Sequence, residues 1–252
     1  MSRFEAAGDA FLSASRSLPR RESAADRGEP MPDYLTQYPA NAKLIYLPSM
    51  QDYLPPKNDL KAVIVDRRTN RRYDTNDLLT VEQFSWLLWA SQGMVKYSEK
   101  TGLTLRNVPS AGSRHPFETF LLINRVKTLQ SGLYHYVPQE HAVYLLDDRP
   151  EIFQAINAST FNQKHVINAS VNFIWVAEVY RTSWRYIERA YRYLFLDAGH
   201  VCQNLYLAAE SEGNAVCAIG AFNDDAANQA LSLDGHEKFV IYMASVGKPT
   251  QS

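Results

Sequence analysis

The most regular hydrophobic spacing in the chain lies between Ile187 and Ala208. Ile187, Tyr191, Leu194, Ala198, Val201, Leu205 and Ala208 recur at steps of 4, 3, 4, 3, 4 and 3 residues. That spacing puts one apolar stripe on a helix of about seven turns, ending at Gly213. Phe195, Cys202 and Ala209 add a second apolar edge, so this helix is expected to be buried, centrally or across a subunit boundary. Upstream, Thr80 and Gln83 have the spacing of a capping box, and Phe84, Leu87, Leu88 and Ser91 follow on one helical face that Gly93 can close. Residues 117–124 (FETFLLIN) read as a strand, and residues 132–137 and 142–146 as a hairpin across 138–141. The continuous apolar run 171–177 (VNFIWVA) has the composition of a central strand buried on both faces. Pro150 opens a short helix with Asp148 as its expected N-cap. Residues 215–219 and 239–246 supply the last two strands, with a short helix near 224–231 between them. Helices and strands mix without regular βαβ alternation, which predicts an α+β fold around a largely antiparallel sheet.

Before residue 60 the texture differs. Seven of the twelve prolines (Pro19, Pro30, Pro32, Pro39, Pro48, Pro55 and Pro56) precede residue 57. They predict an extended arm over residues 1–59, ahead of a folded domain over 60–252. Leu44, Ile45, Tyr46 and Leu47 form an apolar stop in that arm, so it reads as a segment lying along a surface, its own or a partner's.

Composition narrows the classes. With 26 Lys and Arg against 27 Asp and Glu, the net charge is −1, and the chain lacks the positive field that nucleic acid or an anionic membrane rewards. No run reaches the roughly 18 apolar residues of a membrane span, and Arg16, Arg20 and Arg21 interrupt any apolar signal core, so a cytoplasmic protein is expected. Cys202 and Cys217 stand fifteen apart, which fits neither a redox pair nor zinc ligation, and they read as buried free thiols. No metal site is expected.

Three segments could carry chemistry. In DRRTNRR, residues 66–72, four arginines within six positions can surround a multiply charged oxyanion with guanidinium forks, and Thr69 adds a hydroxyl. A solvated loop neutralised by Asp66 and Asp74 is the competing reading. In RNVPSAGSRHPFE, residues 106–118, Pro109, Ser110, Ala111, Gly112 and Ser113 form a small-residue loop entering a strand. Such a loop lets a flat ring approach the main chain, or it serves as a turn and nothing more. In RTSWRYIERAYRY, residues 181–193, Arg185, Arg189 and Arg192 share a helical face and Tyr186 stands beside them as a proton donor. The alternative there is a polar face whose arginines pair with acids such as Glu188. His200, inside the apolar helix, reads as a core histidine.

Taken in chain order, these pieces resemble the FMN-dependent nitroreductase family and, within it, the SagB-type, azoline-oxidase-like dehydrogenases. DRRTNRRY is similar to the family's RRSxR opening, with Thr69 in the serine place, and LLTVEQFSWLLWASQG to the helix that follows. NVPSAGSRHPFE resembles the PSAG loop and strand, and RYIERAYRYLFLDAGHVCQNLYLAAESEG the central helix. CAIGAF and ASVGKP resemble the last two flavin-side strands, so the resemblance covers residues 60–249. It implies a homodimer with the long helix at the dimer interface and two FMN sites at the subunit boundary. Arg67, Arg68, Thr69 and Arg71 would hold the phosphate and ribityl end, and Lys248 would reach the phosphate. Pro109, Ser110, Ala111, Gly112 and Ser113 would line the ring from the other subunit, while Ile219 and Gly220 approach its edge through main-chain groups. The implied activity is hydride transfer through flavin N5, with Tyr186 as general acid or base. Azoline oxidases carry Lys where this chain has Arg185, and an arginine, always protonated, serves as a positioning or anion-binding neighbour rather than a base. The expected substrate is a peptide-derived or small heterocycle being dehydrogenated. The alternatives are a nitro or quinone compound reduced by NAD(P)H, and a non-catalytic flavin-binding subunit of a peptide-modifying complex.

Overall fold

The apolar run that begins at Val171 lies inside a seven-stranded sheet, paired on both edges. The structure is a computed structural model and describes residues 3–16 and 21–250. Its first part holds α1 (Arg3–Ala14), β1 (Ile45–Tyr46), α2 (Leu60–Asp66), α3 (Val81–Gln92) and the hairpin β2 (Met94–Ser98) with β3 (Leu103–Arg106). The middle holds β4 (Phe117–Ile123), β5 (Gly132–Val137), β6 (Ala142–Asp147), α4 (Pro150–Ser159), α5 (Lys164–Asn168) and β7 (Val171–Glu178). The last part holds α6 (Val179–Tyr186), α7 (Ala190–Ser211), β8 (Ala215–Ile219), α8 (Asp224–Ala230) and β9 (Lys238–Gly247). The sheet order is β1-β6-β5-β4-β7-β9-β8, and every pairing in it is antiparallel.

Alternation along β4 and β7 divides the core into two layers. Phe117, Leu121, Phe173 and Trp175 pack with Phe84 and Leu87 of α3 and Leu194, Val201 and Leu205 of α7. Leu122, Ile174 and Val176 face the other way, against Ile152 and Ile156 of α4 and Ala227 of α8. The fold is therefore the predicted α+β arrangement, a large antiparallel sheet flanked by helices. The capping box of α3 is complete: Gln83 N donates to Thr80 Oγ1 at 3.2 Å, and Thr80 N donates to Gln83 Oε1 at 3.2 Å. Gly93 is the C-cap of α3, where ψ turns to 138°, and a Cβ there would stand 2.5 Å from the Trp89 carbonyl oxygen. Both cysteines are free and buried. Among the described residues, no helix is long and apolar enough to cross a membrane.

Six expectations need correction. The long helix does not start at Ile187, whose φ of 52° and ψ of −133° break the chain; residues 187–189 form a short 3-10 turn before α7. Leu194, Ala198, Val201, Leu205 and Ala208 are buried as the stripe requires, but Tyr191 and Phe195 are exposed. The same break leaves Arg185 on α6, Arg189 in the 3-10 turn and Arg192 on α7, so the three share no single helical face. His200 lies on the solvent side of α7, its side chain 50% exposed, rather than in the core. Arg149, not Asp148, is the N-cap of α4, because Asp147 accepts from Arg149 N at 2.9 Å while Asp148 accepts from Gln130 Nε2. Finally, the arm opens with the helix α1, in a stretch that precedes the first proline at residue 19.

Beyond α1 the arm follows its own chain's surface. Ser85 Oγ donates to Pro48 O at 2.7 Å, Leu47 N to His141 O at 3.0 Å, and Thr36 Oγ1 to Glu118 Oε2 at 2.7 Å. Glu118, 5% exposed, is also ion-paired with Arg181 Nη2 at 2.7 Å and hydrogen-bonded to His135 Nε2 at 2.9 Å. Burial alone would raise its pKa, but the Arg181 charge, His135 and the Thr36 hydroxyl hold the carboxyl well below the usual carboxylate range. Because the folded value is the lower one, the stabilisation is full above the ordinary carboxylate range and is lost as pH falls towards the folded value. Glu118→Gln removes the more deeply buried of the two carboxylates paired with Arg181, leaving Glu178 at 2.9 Å as its remaining partner, and should lower the unfolding free energy by about 1.5–3 kcal/mol. Urea denaturation at neutral pH measures this, and an unchanged midpoint would contradict it.

Candidate functional site

Two clusters form at opposite ends of α7. At the first, residues 69–74 run beside β8 and the end of β9. Asn70 N donates to Val216 O at 3.0 Å, Asp74 N to Lys248 O at 2.8 Å and Thr250 N to Arg72 O at 3.2 Å. Gly247 permits this packing, since a Cβ there would meet the Tyr73 ring at 3.0 Å. From α7, the Tyr206 hydroxyl lies 3.0 Å from Thr69 Oγ1 and accepts from Ala218 N at 2.9 Å. The Arg67 guanidinium sits 5.3 Å from the Tyr206 ring centroid. Arg67, Arg68, Thr69, Arg71 and Lys248 thus share one end of the molecule.

The acids near this cluster do not neutralise it. Asp66 is held by Lys57 Nζ at 2.7 Å, and Asp74 accepts from Asn76 N. Among the described residues, none of Arg67, Arg68, Arg71, Arg72 and Lys248 forms an ion pair with a carboxylate. Arg68 Nη1 donates to Val65 O and Arg67 O at 2.7 and 2.8 Å, but the cluster keeps cations without a carboxylate partner, which fits a dianionic group such as a phosphate monoester. Arg71 also lies against the Cys217 thiol, whose pKa burial pushes up; burial likewise pushes Cys202 up to about 12, so neither is a thiolate near neutrality.

The second cluster is the small-residue loop. Ser110 Oγ donates to Asp197 Oδ2 at 2.6 Å, Ala111 N to the same oxygen at 3.1 Å, and His115 N to Ser110 Oγ at 3.0 Å. Asp197, on α7, is 3% exposed. Burial pushes its pKa above the ordinary aspartate value, against the pull of the hydrogen bonds from Ser110 and Ala111. Gly112, Ser113 and His115 all have positive φ, of 60°, 54° and 41°. A Cβ on Gly112 would stand 2.3 Å from the Tyr186 hydroxyl, so that phenol rests directly over the glycine. Arg185 is exposed, with its guanidinium 5.8 Å from the Tyr186 ring centroid. His115 is pushed down to about 3 by burial and by the Arg106 and Arg114 charges, which keeps its imidazole neutral. Pro109 and Gly112 are exposed and Ser110, Ala111 and Ser113 half-buried, which leaves a shallow surface of small side chains that suits a flat ring.

Asp197 and Tyr206 are nine residues apart on α7, about 13 Å along its axis. The structure therefore gathers the predicted residues into two groups rather than one. Ile219 belongs to neither, being buried against Ala227, Val240 and Met243 on the sheet face away from α7. Gly220 is exposed, with open space around its Cβ position. The sequence reading missed Asp197, Tyr206 and Arg114. A lone acid within an apolar helix stripe was the available signal for Asp197, since a buried carboxylate must find donors. Tyr206 carried no such signal.

The sequence pattern of the nitroreductase family matches residues 64–248. The chain belongs to the nitroreductase family. The matched stretch runs from α2 to Lys248, so both clusters fall inside it and the arm falls outside. A protein of Methanocaldococcus jannaschii, MJ1384, assigned provisionally to the nitroreductases, is 29% identical over 202 residues, 79% of this chain and 97% of that protein. The trifolitoxin-processing protein TfxB of Rhizobium leguminosarum bv. trifolii is 28% identical over 139 residues, 53% of this chain, which spans only 37% of TfxB. Among solved structures, a nitroreductase-type protein of Anabaena variabilis superposes with a TM-score of 0.68 at 26% identity, covering 83% of this chain and 42% of that one. A nitroreductase-type protein of Desulfovibrio desulfuricans solved in complex with FMN shares the fold, with a TM-score of 0.52 at 19% identity over 77% of this chain and 88% of its own. The E. coli microcin synthetase complex McbBCD, solved with truncated pro-MccB17 bound, also shares the fold, with a TM-score of 0.61 at 17% identity over 95% of this chain and 87% of its own.

Within this nitroreductase chain, Asp197 is the support of the loop. Asp197→Ala removes the acceptor of two charge-assisted bonds, each worth about 1.5–3 kcal/mol. Hydrogen exchange at the Ala111 amide should then accelerate by about 10-fold or more. Unchanged exchange in the peptide spanning residues 107–116 would mean that the loop is held by something else.

Proposed function

We propose that this chain is an FMN-dependent oxidoreductase of the SagB-type branch. It acts as a homodimer in which each flavin site combines the basic end of one copy with the 109–113 loop of the other. The observation that carries the reading is the separation of two complementary half-sites along α7. The first is a cluster of unclaimed cations and the second a small-residue surface. Near the loop end of α7, Tyr191, Phe195 and Leu196 are exposed with Phe11 and Leu12 of α1, an apolar face that a second copy would cover. The FMN-bound relative of the same fold supports the cofactor.

Bound there, FMN would supply hydride transfer at its N5. Arg67, Arg68 and Arg71 present forked donors to the phosphate and ribityl end, and Lys248 adds a point charge. Thr69 offers a hydroxyl whose direction Tyr206 sets. Pro109, Ser110, Ala111, Gly112 and Ser113 give the ring a surface without bulky side chains, and Ile219 and Gly220 offer main-chain groups to its edge. Tyr186 is the residue that holds or moves a proton. Arg185 stays charged, so it orients the phenol and attracts an anionic group but takes no proton. Residues 1–59 form an arm ahead of the flavin domain at 60–252, and the protein works in the cytoplasm.

The substrate in this reading is a peptide-derived or small heterocycle that is dehydrogenated. Similarity to TfxB, named for trifolitoxin processing, and the shared fold of the microcin synthetase complex support it. The second reading, reduction of a nitro or quinone compound by NAD(P)H, draws on MJ1384, a relative matched over nearly its whole length.

Purified protein is expected to be yellow and to release FMN on denaturation. Arg67→Gln and Arg71→Gln should each weaken FMN binding by about 10- to 100-fold, as loss of a charge-assisted bond predicts. Tyr186→Phe should bind FMN normally but lose about 10²- to 10⁴-fold in turnover. Rapid bleaching by NADH or NADPH in stopped flow would favour the second reading. A colourless protein that takes up no added FMN would overturn both.

A further inference from the structure

Ile187 carries a backbone conformation that a β-branched residue rarely enters, with φ 52° and ψ −133°. Such strain persists only where the surroundings over-determine it, and it gathers at functional sites. The surroundings here belong to the N-terminal arm. On the α6 side of the break, Ala25 N donates to Trp184 O at 3.0 Å and Trp184 Nε1 donates to Glu29 O at 3.1 Å. Arg181 Nε donates to Asp33 O at 3.0 Å. On the α7 side, Arg21 pairs with Glu188 at 2.7 Å and Arg189 Nη1 donates to Ser15 O at 2.8 Å. The chain is therefore held before its strained residue by residues 25–33, and after it by Arg21, through an exposed ion pair, and by Ser15 just past the end of α1.

That segment also reaches the loop. Arg114, 2% exposed, lies between the rings of Tyr34 and Trp184, at 4.8 and 5.6 Å from their centroids. Its Nη1 donates to the Tyr34 hydroxyl at 2.5 Å and its Nε to Gly112 O at 2.8 Å. Gly112 is the residue over which the Tyr186 hydroxyl stands. We infer that residues 21–36 are a strap that holds Ile187 in its strained conformation and thereby keeps Tyr186 over Gly112. Tyr34, Arg114 and Trp184 are positioning residues for the loop and for Tyr186. The strap lies outside the stretch that the nitroreductase pattern matches. The inference rests on the proposed role of Tyr186 and the loop, but its test does not.

A melting cycle on the full chain tests the strain. Ile187→Gly should melt about 2–4 °C above Ile187→Ala, because only glycine takes a positive φ without penalty. In a Trp184→Phe background, and separately in a Tyr34→Phe background, that gap should close, because an unstrapped backbone relaxes. A fluorine-19 label on the Tyr186 ring reads position directly. Its single resonance should move towards the solvent-exposed value in both strap variants. It should stay in place in Thr80→Ala, which destabilises α3 without touching the strap. An alanine variant that melts as high as the glycine variant overturns the inference, as does a gap or a fluorine signal unmoved in both strap variants. Neither readout needs flavin, so failure to bind FMN would count against the proposed function alone.

Discussion

The burial of one face of α7 against the sheet is the constraint on which the rest of the molecule depends. Leu194, Val201 and Leu205 lock that helix onto β4 and β7, and the register so fixed decides where Asp197 and Tyr206 emerge. Asp197 then anchors Ser110 and Ala111, and Tyr206 anchors Thr69 and Ala218. One rigid rod sets the spacing of the basic end and the small-residue loop. It also keeps them about 13 Å apart along its axis, the separation on which the proposed division of a site between two copies rests.

Charge and strain are concentrated where the loop meets α6. Glu118 follows the loop directly, and its pairing with Arg181 ties β4 to α6 in a nearly dry environment, where an unpaired member would be costly. The same Arg181 contacts the arm, and Arg114 connects the arm to Gly112. Positive φ at Ser113, His115 and Ile187 is held within this one network. The arrangement joins a stable ion pair to a conformation the chain would not adopt unaided, and it does so around the tyrosine proposed to handle the proton.

Much of this was legible in the residues. The stripe on α7, the Thr80 capping box and the apolar run of β7 depend on local period and composition, so they survive without knowledge of the fold. The arginine cluster and the small-residue loop were visible as chemistry, and the structure adds that nearby acids leave those arginines unclaimed. The break at Ile187 was not legible, because neither glycine nor proline marks it and its cause is the arm, some 150 residues earlier in the chain. The exposure of His200 was missed for a related reason. Sitting beside Val201 says nothing about which side of a helix faces water once part of the second apolar edge, Phe195 included, is itself left open. Asp148 lost its predicted cap role to competition from Asp147 one residue away.

The central claim is that a complete site needs two copies of the chain, one contributing its basic end and the other its loop. Complementation between two defective chains tests it most directly. One chain carries Arg67→Gln with Arg71→Gln, and the other carries Gly112→Val, which the Tyr186 hydroxyl would oppose. Each alone should bind FMN poorly. Unfolded and refolded together, or co-expressed, they should regain about a quarter of the parental number of tight sites, because half of randomly paired dimers are mixed and each mixed dimer holds one intact site. Recovery of none, with mixed dimers demonstrably formed, would contradict the account.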